Sequence, residues 1–259
     1  MKIEVKKKGK KKSFDLITKW SDVTLDKWLK LIEFEGLSKT KQTIETINLM
    51  SDMPQKIIRE LSIEDVVVIM KAMTALQKSA DSTLNQIVKI NDKEYGFHPS
   101  LEDMTLGEWA DLETFIKAGI DKNMPEIMAV LFRPVVERKN DAYIIEAYDG
   151  NIAVRAEEFK QMKASQVQSA LVFFLSFRKR IVSDFAIIFE GTPETNEASI
   201  ANESFADKWG YFGLMYRLSG GDISKLETIT KINVLEAFTW LSYETDLESM
   251  KRVNINGNK

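Results

Sequence analysis

The chain has 259 residues, 44% apolar and 29% charged, with five prolines, twelve glycines, one histidine (His98) and no cysteine. This composition predicts a globular chain with enough length for one sizeable core or two small ones, and so few prolines and glycines favour long helices over a loop-rich β fold. It excludes disulfides, thiolate metal sites and cysteine nucleophiles, leaves no histidine-built metal site, and fits a reducing cytoplasm.

Net charge is −3 but uneven: the first twelve residues hold seven lysines and one glutamate, so a stretch of +6 leaves −9 on the rest. Residues 1–17 read as a β-hairpin turning at Lys8-Gly9, with Ile3 opposite Phe14 and Val5 on the same face. The lysines then sit at the tip. They serve either as a solvated guard against edge pairing or as contacts for an anionic partner, and Lys6, Lys7, Lys8, Lys10, Lys11 and Lys12 are the candidates for the second role. The basic start lacks a following apolar segment, so it does not read as a secretory signal.

A helix is predicted over 24–35, ending at Gly36, then short helices over 38–50 and 54–61. Ser62 and Asp65 resemble a capping box opening a helix to about residue 79, with Val66, Ile69, Met70, Met73 and Leu76 on one side. Residues 86–97 read as a second hairpin with Asn91-Asp92 as its turn, Val88 facing Tyr95 and Lys89 facing Glu94. Thr105 and Glu108 form a capping-box pattern for a helix ending at Gly119. Further helices are predicted over 125–139, with Pro134 as a kink, and over 155–163 and 165–189. A turn falls at 148–151. The most apolar run, 169–177, stops at Arg178-Lys179-Arg180, short of the roughly twenty residues a bilayer needs. Residues 191–204 are polar and aperiodic, the best linker. A C-terminal helical pair follows over 205–218 and 232–248, with Gly220-Gly221 as a stop and Asp222 as a cap.

One motif occurs twice. SDVTLDKWLKLIEF (21–34) and EDMTLGEWADLETF (102–115) share Asp, Thr, Leu, Trp, Leu and Phe at the same spacing. The threonines stand where an N-cap hydroxyl belongs, and the apolar residues follow as one helical stripe. The expected fold is therefore mainly α with two small β-hairpins (α+β), built on an internally duplicated hairpin-plus-helix unit. The expected division is 1–85 (first hairpin and helical unit), 86–190 (second unit and long apolar helices), 191–204 (linker) and 205–259 (C-terminal helical pair). Repetition of this kind suits scaffolding or binding.

Motifs for chemistry are missing. There is no phosphate-binding glycine loop, no HExxH and no EF-hand loop. His98, just before Pro99, reads as a surface turn residue. Glu157-Glu158 and Glu102-Asp103 read as partners of helix starts. The stripe tryptophans Trp28 and Trp109 suit a core or a partner surface. In Trp209-Gly210-Tyr211-Phe212-Gly213, two glycines in an aromatic helix cost about 1 kcal/mol each relative to alanine. Close approach of another helix, or a partner groove, accounts for that. The candidate partner-binding residues are Trp28, Trp109, Trp209, Tyr211 and Phe212. The lysine arm lacks interleaved aromatics, so any nucleic-acid contact through it is weak and non-specific.

The segments WSDVTLDKW (20–28), MTLGEWADLE (104–113) after the Asn91-Asp92 hairpin, IMAVLFRP (127–134), VFFLSF (172–177) and DKWGYFGLMYRLSGGDISKLETITKINVLEAFTWLSY (207–243) carry a resemblance that spans most of the chain. It resembles a group of tailed-bacteriophage proteins described as tail-assembly chaperones or virion-associated proteins. The resemblance implies a non-enzymatic helper without cofactor, working in the host cytoplasm and binding the tape-measure protein or another tail protein. Its alternative is a structural virion component at the portal, neck or tail interior. No catalytic residues carry over, and the lysine arm lies outside the pattern. Eleven methionines suit adaptable apolar contacts, and an oligomer is compatible with this reading; a membrane partner is not expected.

Overall fold

A computed structural model describes residues 1–7, 10–74, 83–140, 142–189 and 208–256. Among these residues the protein is mainly helical with two small antiparallel sheets, one of two strands and one of four. Its chain divides into two compact units. The first comprises Met1–Phe97, Ala118–Glu146 and Ile152–Val172; the second comprises His98–Lys117, Ala147–Asn151 and Phe173–Lys259. The expected linker 191–204 and the Lys8-Gly9 turn lie outside the described residues, as do Leu76 and the end of its helix.

In the first unit, β1 (Lys2–Lys7) pairs with β2 (Lys10–Asp15), with Ile3 opposite Phe14. α1 (Leu25–Phe34) starts at Thr24, whose hydroxyl accepts from the Lys27 N–H at 3.4 Å. α2 (Lys39–Met50), α3 (Gln55–Ile58) and α4 (Ile63–Thr74) follow. Pro54 is the N-cap residue of α3, just outside its first turn. Ser62 accepts from the Asp65 N–H at 3.1 Å and donates to its carboxylate at 2.9 Å, so Asp serves where a capping box usually has Glu. Leu16, Val23, Ile47, Met50, Met53, Ile58, Ile69 and Met73 form the buried core here, with Val66 and Met70 against it.

β3 (Ile87–Ile90) and β4 (Lys93–Phe97) form the second hairpin in the expected register. Asn91 and Asp92 both take positive φ, 48° and 65°, which suits the twist of a two-residue hairpin turn. This hairpin is not isolated. The expected helix over 125–139 ends early: α5 (Leu106–Leu131) gives way to β5 (Phe132–Lys139), which pairs with β4 and with β6 (Ala142–Ile145). Pro134 cannot donate a helical hydrogen bond, and the β-branched Val135 and Val136 after it prefer a pleated strand. The Tyr143 ring of β6 reaches across β5 to lie over Gly96, where a Cβ would sit 2.5 Å from it. α5 itself bends at Gly119 (φ 112°), the expected stop, and resumes beyond it.

α6 (Ala153–Phe159) and α7 (Ala164–Asp184) follow the Gly150 turn, and α8 (Ala186–Phe189) continues after a break at Phe185. In the second unit, α9 (Tyr211–Ser219) begins after Gly210 (φ 48°) and stops at Gly220-Gly221. Asp222 caps a 3-10 turn by accepting from the Ser224 N–H at 3.0 Å. α10 (Leu226–Thr230) and α11 (Val234–Asn256) complete the described chain.

Candidate functional site

Each copy of the repeated motif is tied by one backbone device. In the first unit, the Leu25 N–H donates to the Met162 carbonyl and the Ala164 N–H donates to the Val23 carbonyl, both at 2.8 Å. In the second, the Leu106 N–H donates to the Ile232 carbonyl at 2.8 Å and the Val234 N–H to the Met104 carbonyl at 2.9 Å. Thr24 thus bridges to Lys163, and Thr105 to Asn233. In both places the starts of two helices meet edge to edge, α1 with α7 and α5 with α11. The repeat therefore has a second half that the sequence reading missed. Phe159, Met162, Ala164, Val167 and Leu171 recur at equal intervals as Ile229, Ile232, Val234, Ala237 and Leu241. The shared signal is only the apolar spacing, because no polar residue is held in common at the bridge.

The repeated tryptophans have different fates. Trp28 is half-buried and meets Trp20 edge-on at 5.4 Å. Trp109 is fully buried, with Phe174, Phe177 and Phe238 around it at 5.7 to 6.3 Å. Its indole N–H donates to the Tyr211 hydroxyl at 2.8 Å. Burial, and next the Glu113 carboxylate, push the Tyr211 phenol well above the ordinary value. Glu113 itself holds a two-pronged ion pair with Arg178, one bond at 2.8 Å. Trp109 and Tyr211 are thus parts of the interior of the second unit and offer little surface to a partner.

Trp209 and Phe212 lie at the surface, 44% and 49% exposed, with Tyr216 at 59%. Phe212 and Tyr216 follow at helical spacing on α9, Trp209 precedes it across the Gly210 turn, and the three line a groove of about 550 Å³ with Gly213, Leu214 and Arg217. Gly213 has open space where a side chain would stand, so the glycine widens the groove and is not required by a close helix contact. Lys208 sits over the Trp209 ring at 5.2 Å, and Arg217 pairs with Glu244 at 3.3 Å. On α11, Trp240 and Tyr243 are exposed as well.

The residues weighed for chemistry are placed structurally. His98 is not at the surface: it is buried, its Nε2 3.6 Å from the buried Glu108 carboxylate. Glu108 also accepts from the Thr105 N–H at 2.7 Å and from its hydroxyl at 2.8 Å, completing the capping box. The strand β4 runs directly into His98, which draws the side chain inward. Glu158 accepts from Tyr95 and from the Lys93 ammonium at 2.7 Å. Those hydrogen bonds, Lys93 first, hold the Glu158 carboxyl below its ordinary value. Burial, then Glu158, push the Tyr95 phenol upward. Glu102 pairs with Arg180 at 2.7 Å. Among the described residues, no three His, Cys, Asp or Glu side chains gather to hold a metal ion, and no helix is long and apolar enough to cross a membrane. Of the candidate lysines, Lys11 and Lys12 are exposed; Lys6, Lys7 and Lys10 hold their strand positions, and Lys8 lies outside the described residues.

What the fold and surface define is a duplicated, mainly helical scaffold carrying an aromatic groove. The chain matches no family model, no curated protein and no solved structure.

Proposed function

We propose that the protein is a non-enzymatic bacteriophage assembly factor, a tail-assembly chaperone that holds an apolar helix of the tape-measure or another tail protein in the host cytoplasm. The observation that carries this reading is the groove on α9. Trp209, just before α9, and Phe212 and Tyr216 on it leave large aromatic area facing water along one groove, and an amphipathic helix laid in a groove buries such anchors. Aromatic side chains of this kind dominate interface energetics. The resemblance carried by residues 207–243 covers this groove and supplies the class of partner.

Co-purification from infected cells tests the proposal. The expected result is one tail polypeptide recovered with the wild-type chain and lost with Trp209→Ala/Phe212→Ala. That double variant should melt with the wild type, because both residues are substantially exposed. Recovery of the same polypeptide by the variant rejects the groove. Stoichiometric presence of the chain in purified particles rejects the chaperone in favour of a virion component.

A further inference from the structure

We infer that the outer face of α11 is a dimerisation seam, which pairs in parallel with the same helix of a second copy of this chain. α11 carries two apolar faces. Val234, Ala237, Phe238 and Leu241 are buried, and no residue of 242–251 is. Trp240, Tyr243, Leu247 and Met250 follow one another at intervals of three, four and three. At 3.6 residues per turn these four form one stripe, about 150° around the helix from the buried face. Trp240, Tyr243 and Met250 are each more than half exposed, and Leu247 is partly so.

The intervals fit another helix. Alternating steps of three and four are the a and d positions of a heptad seam, with Trp240 and Leu247 at a and Tyr243 and Met250 at d. The seam is short, spanning about 15 Å. It does not have to nucleate its own helix, because the buried face already holds α11 folded.

The charges beside the stripe select the partner. Asp246 stands at a g position and Lys251 at the following e position, both exposed. In parallel pairing a g residue faces the next e residue of the other helix. Asp246 of each copy then meets Lys251 of the other, and the two-fold axis makes the contact twice. Glu244, the other e residue, faces the uncharged Thr239. It is held within its own chain by Arg217 and by the Trp240 indole N–H, both at 3.3 Å. Antiparallel pairing of the same stripe sets Asp246 beside Asp246 and Glu244 beside Glu244, which is repulsive. A second copy in parallel supplies both the apolar stripe and the opposite charges. Covering the stripe removes roughly 400 Å² per copy from water, about half of what each partner gives to a standard interface. The dimer is therefore weak and concentration-dependent.

Sedimentation equilibrium of the full chain is the test. The mass should rise from one chain to two as concentration passes through the order of 10 µM. Trp240→Ala/Tyr243→Ala should weaken the dimer by about tenfold or more, with the melting temperature unchanged because both rings stand mostly in water. Should that pair perturb folding, charge reversal carries the test. Asp246→Lys or Lys251→Asp alone should weaken the dimer about tenfold, and the two together in one chain should restore it. The chain has no cysteine, so Met250→Cys gives one thiol per copy. Oxidation should cross-link the parallel dimer, whereas antiparallel pairing parts the two thiols by about 15 Å. Trp209→Ala/Phe212→Ala should leave the dimer intact, which separates the seam from the groove on α9. A chain that stays monomeric to about 0.1 mM overturns the inference, whether or not the stripe then takes a helix of another protein. So do a dimer indifferent to Trp240→Ala/Tyr243→Ala, a double reversal that fails to restore it, a missing cross-link, or loss of the dimer through the groove variant.

Discussion

The two copies of the repeated unit share a backbone device and differ in the side chains that support it. In the second copy every helix start at the bridge is capped. Glu108 reaches back to Thr105, and the Asn233 side chain accepts from the Leu235 N–H at 2.8 Å and the Glu236 N–H at 3.2 Å while donating to the Glu102 carbonyl at 2.7 Å. In the first copy Lys27 stands where Glu108 would, and Lys163 where Asn233 would. Neither lysine can accept a hydrogen bond. Lys27 turns away to donate to the Leu49 carbonyl, and burial lowers its pKa. The tryptophans follow the same trend, Trp109 enclosed and Trp28 half-covered. The first copy keeps the Thr24 cap but lacks the reciprocal carboxylate and the asparagine, while the backbone pairing persists, and the second copy is the more tightly determined.

The largest effect that tests this contrast is truncation of the two tryptophans. Trp109→Ala should cost about 3–5 kcal/mol, since it empties a closed aromatic site and leaves the Tyr211 hydroxyl without its donor. Trp28→Ala should cost about half as much, because its half-exposed ring has less area to lose. Urea unfolding of both variants measures the difference; equal costs would erase the distinction between the copies. Next come the caps. Thr105→Ala should cost about 1–2 kcal/mol and Thr24→Ala about 0.5 kcal/mol, the weaker figure following from its long, unreciprocated bond. Amide exchange at the two helix starts separates them.

Titration gives a third, smaller probe. Glu158 lies in the first copy, and the matching position in the second is Thr228. With its folded pKa depressed, Glu158 contributes stability present above its ordinary value of 4.5 and lost as pH falls through the folded value. Tyr95 has the opposite sign. Its raised pKa contributes stability present below the ordinary 10.0 and lost as pH rises through the folded value. Glu158→Gln should flatten the acid limb of the stability profile and leave the second copy's amide protection unchanged. The smallest effect is at Gly107, whose added Cβ would lie 3.1 Å from the Thr230 carbonyl oxygen. Alanine there gains about 1 kcal/mol of helix propensity against that contact, so Gly107→Ala should shift stability by less than this amount.

Much of the fold was legible because local chemistry fixed it. Asn91-Asp92 specified a hairpin turn, Thr105 with Glu108 a helix start, and Gly220-Gly221 a helix end. The segment 132–139 was misjudged because Ile127, Leu131 and Val135 keep helical spacing across the point where Pro134 changes the backbone. Strand β6 gave little signal on its own, since it is made by pairing with β5. The bridges to Lys163 and Asn233 are backbone to backbone and leave no residue signature. For the surface, helical spacing identified an apolar stripe with a tryptophan in both motif copies, and the glycines among aromatics singled out residues 209–213. Spacing could not tell which stripe faces inward: Trp109 is enclosed, whereas Phe212 and Tyr216 on α9, like Trp240 and Tyr243 on α11, stand in water.

The bridges also bear on synthesis. Val23 and Thr24 find their long-range bridge partners at Met162 to Ala164, and in between the chain lays down Leu106 and its neighbours, which wait for Ile232 to Val234. Neither unit can close before the ribosome has begun or finished the other. Maturation is thus a late event set by long-range closure, slow for a helical chain of this size, and a nascent protein stalled before residue 162 would hold the start of both units and the completion of neither.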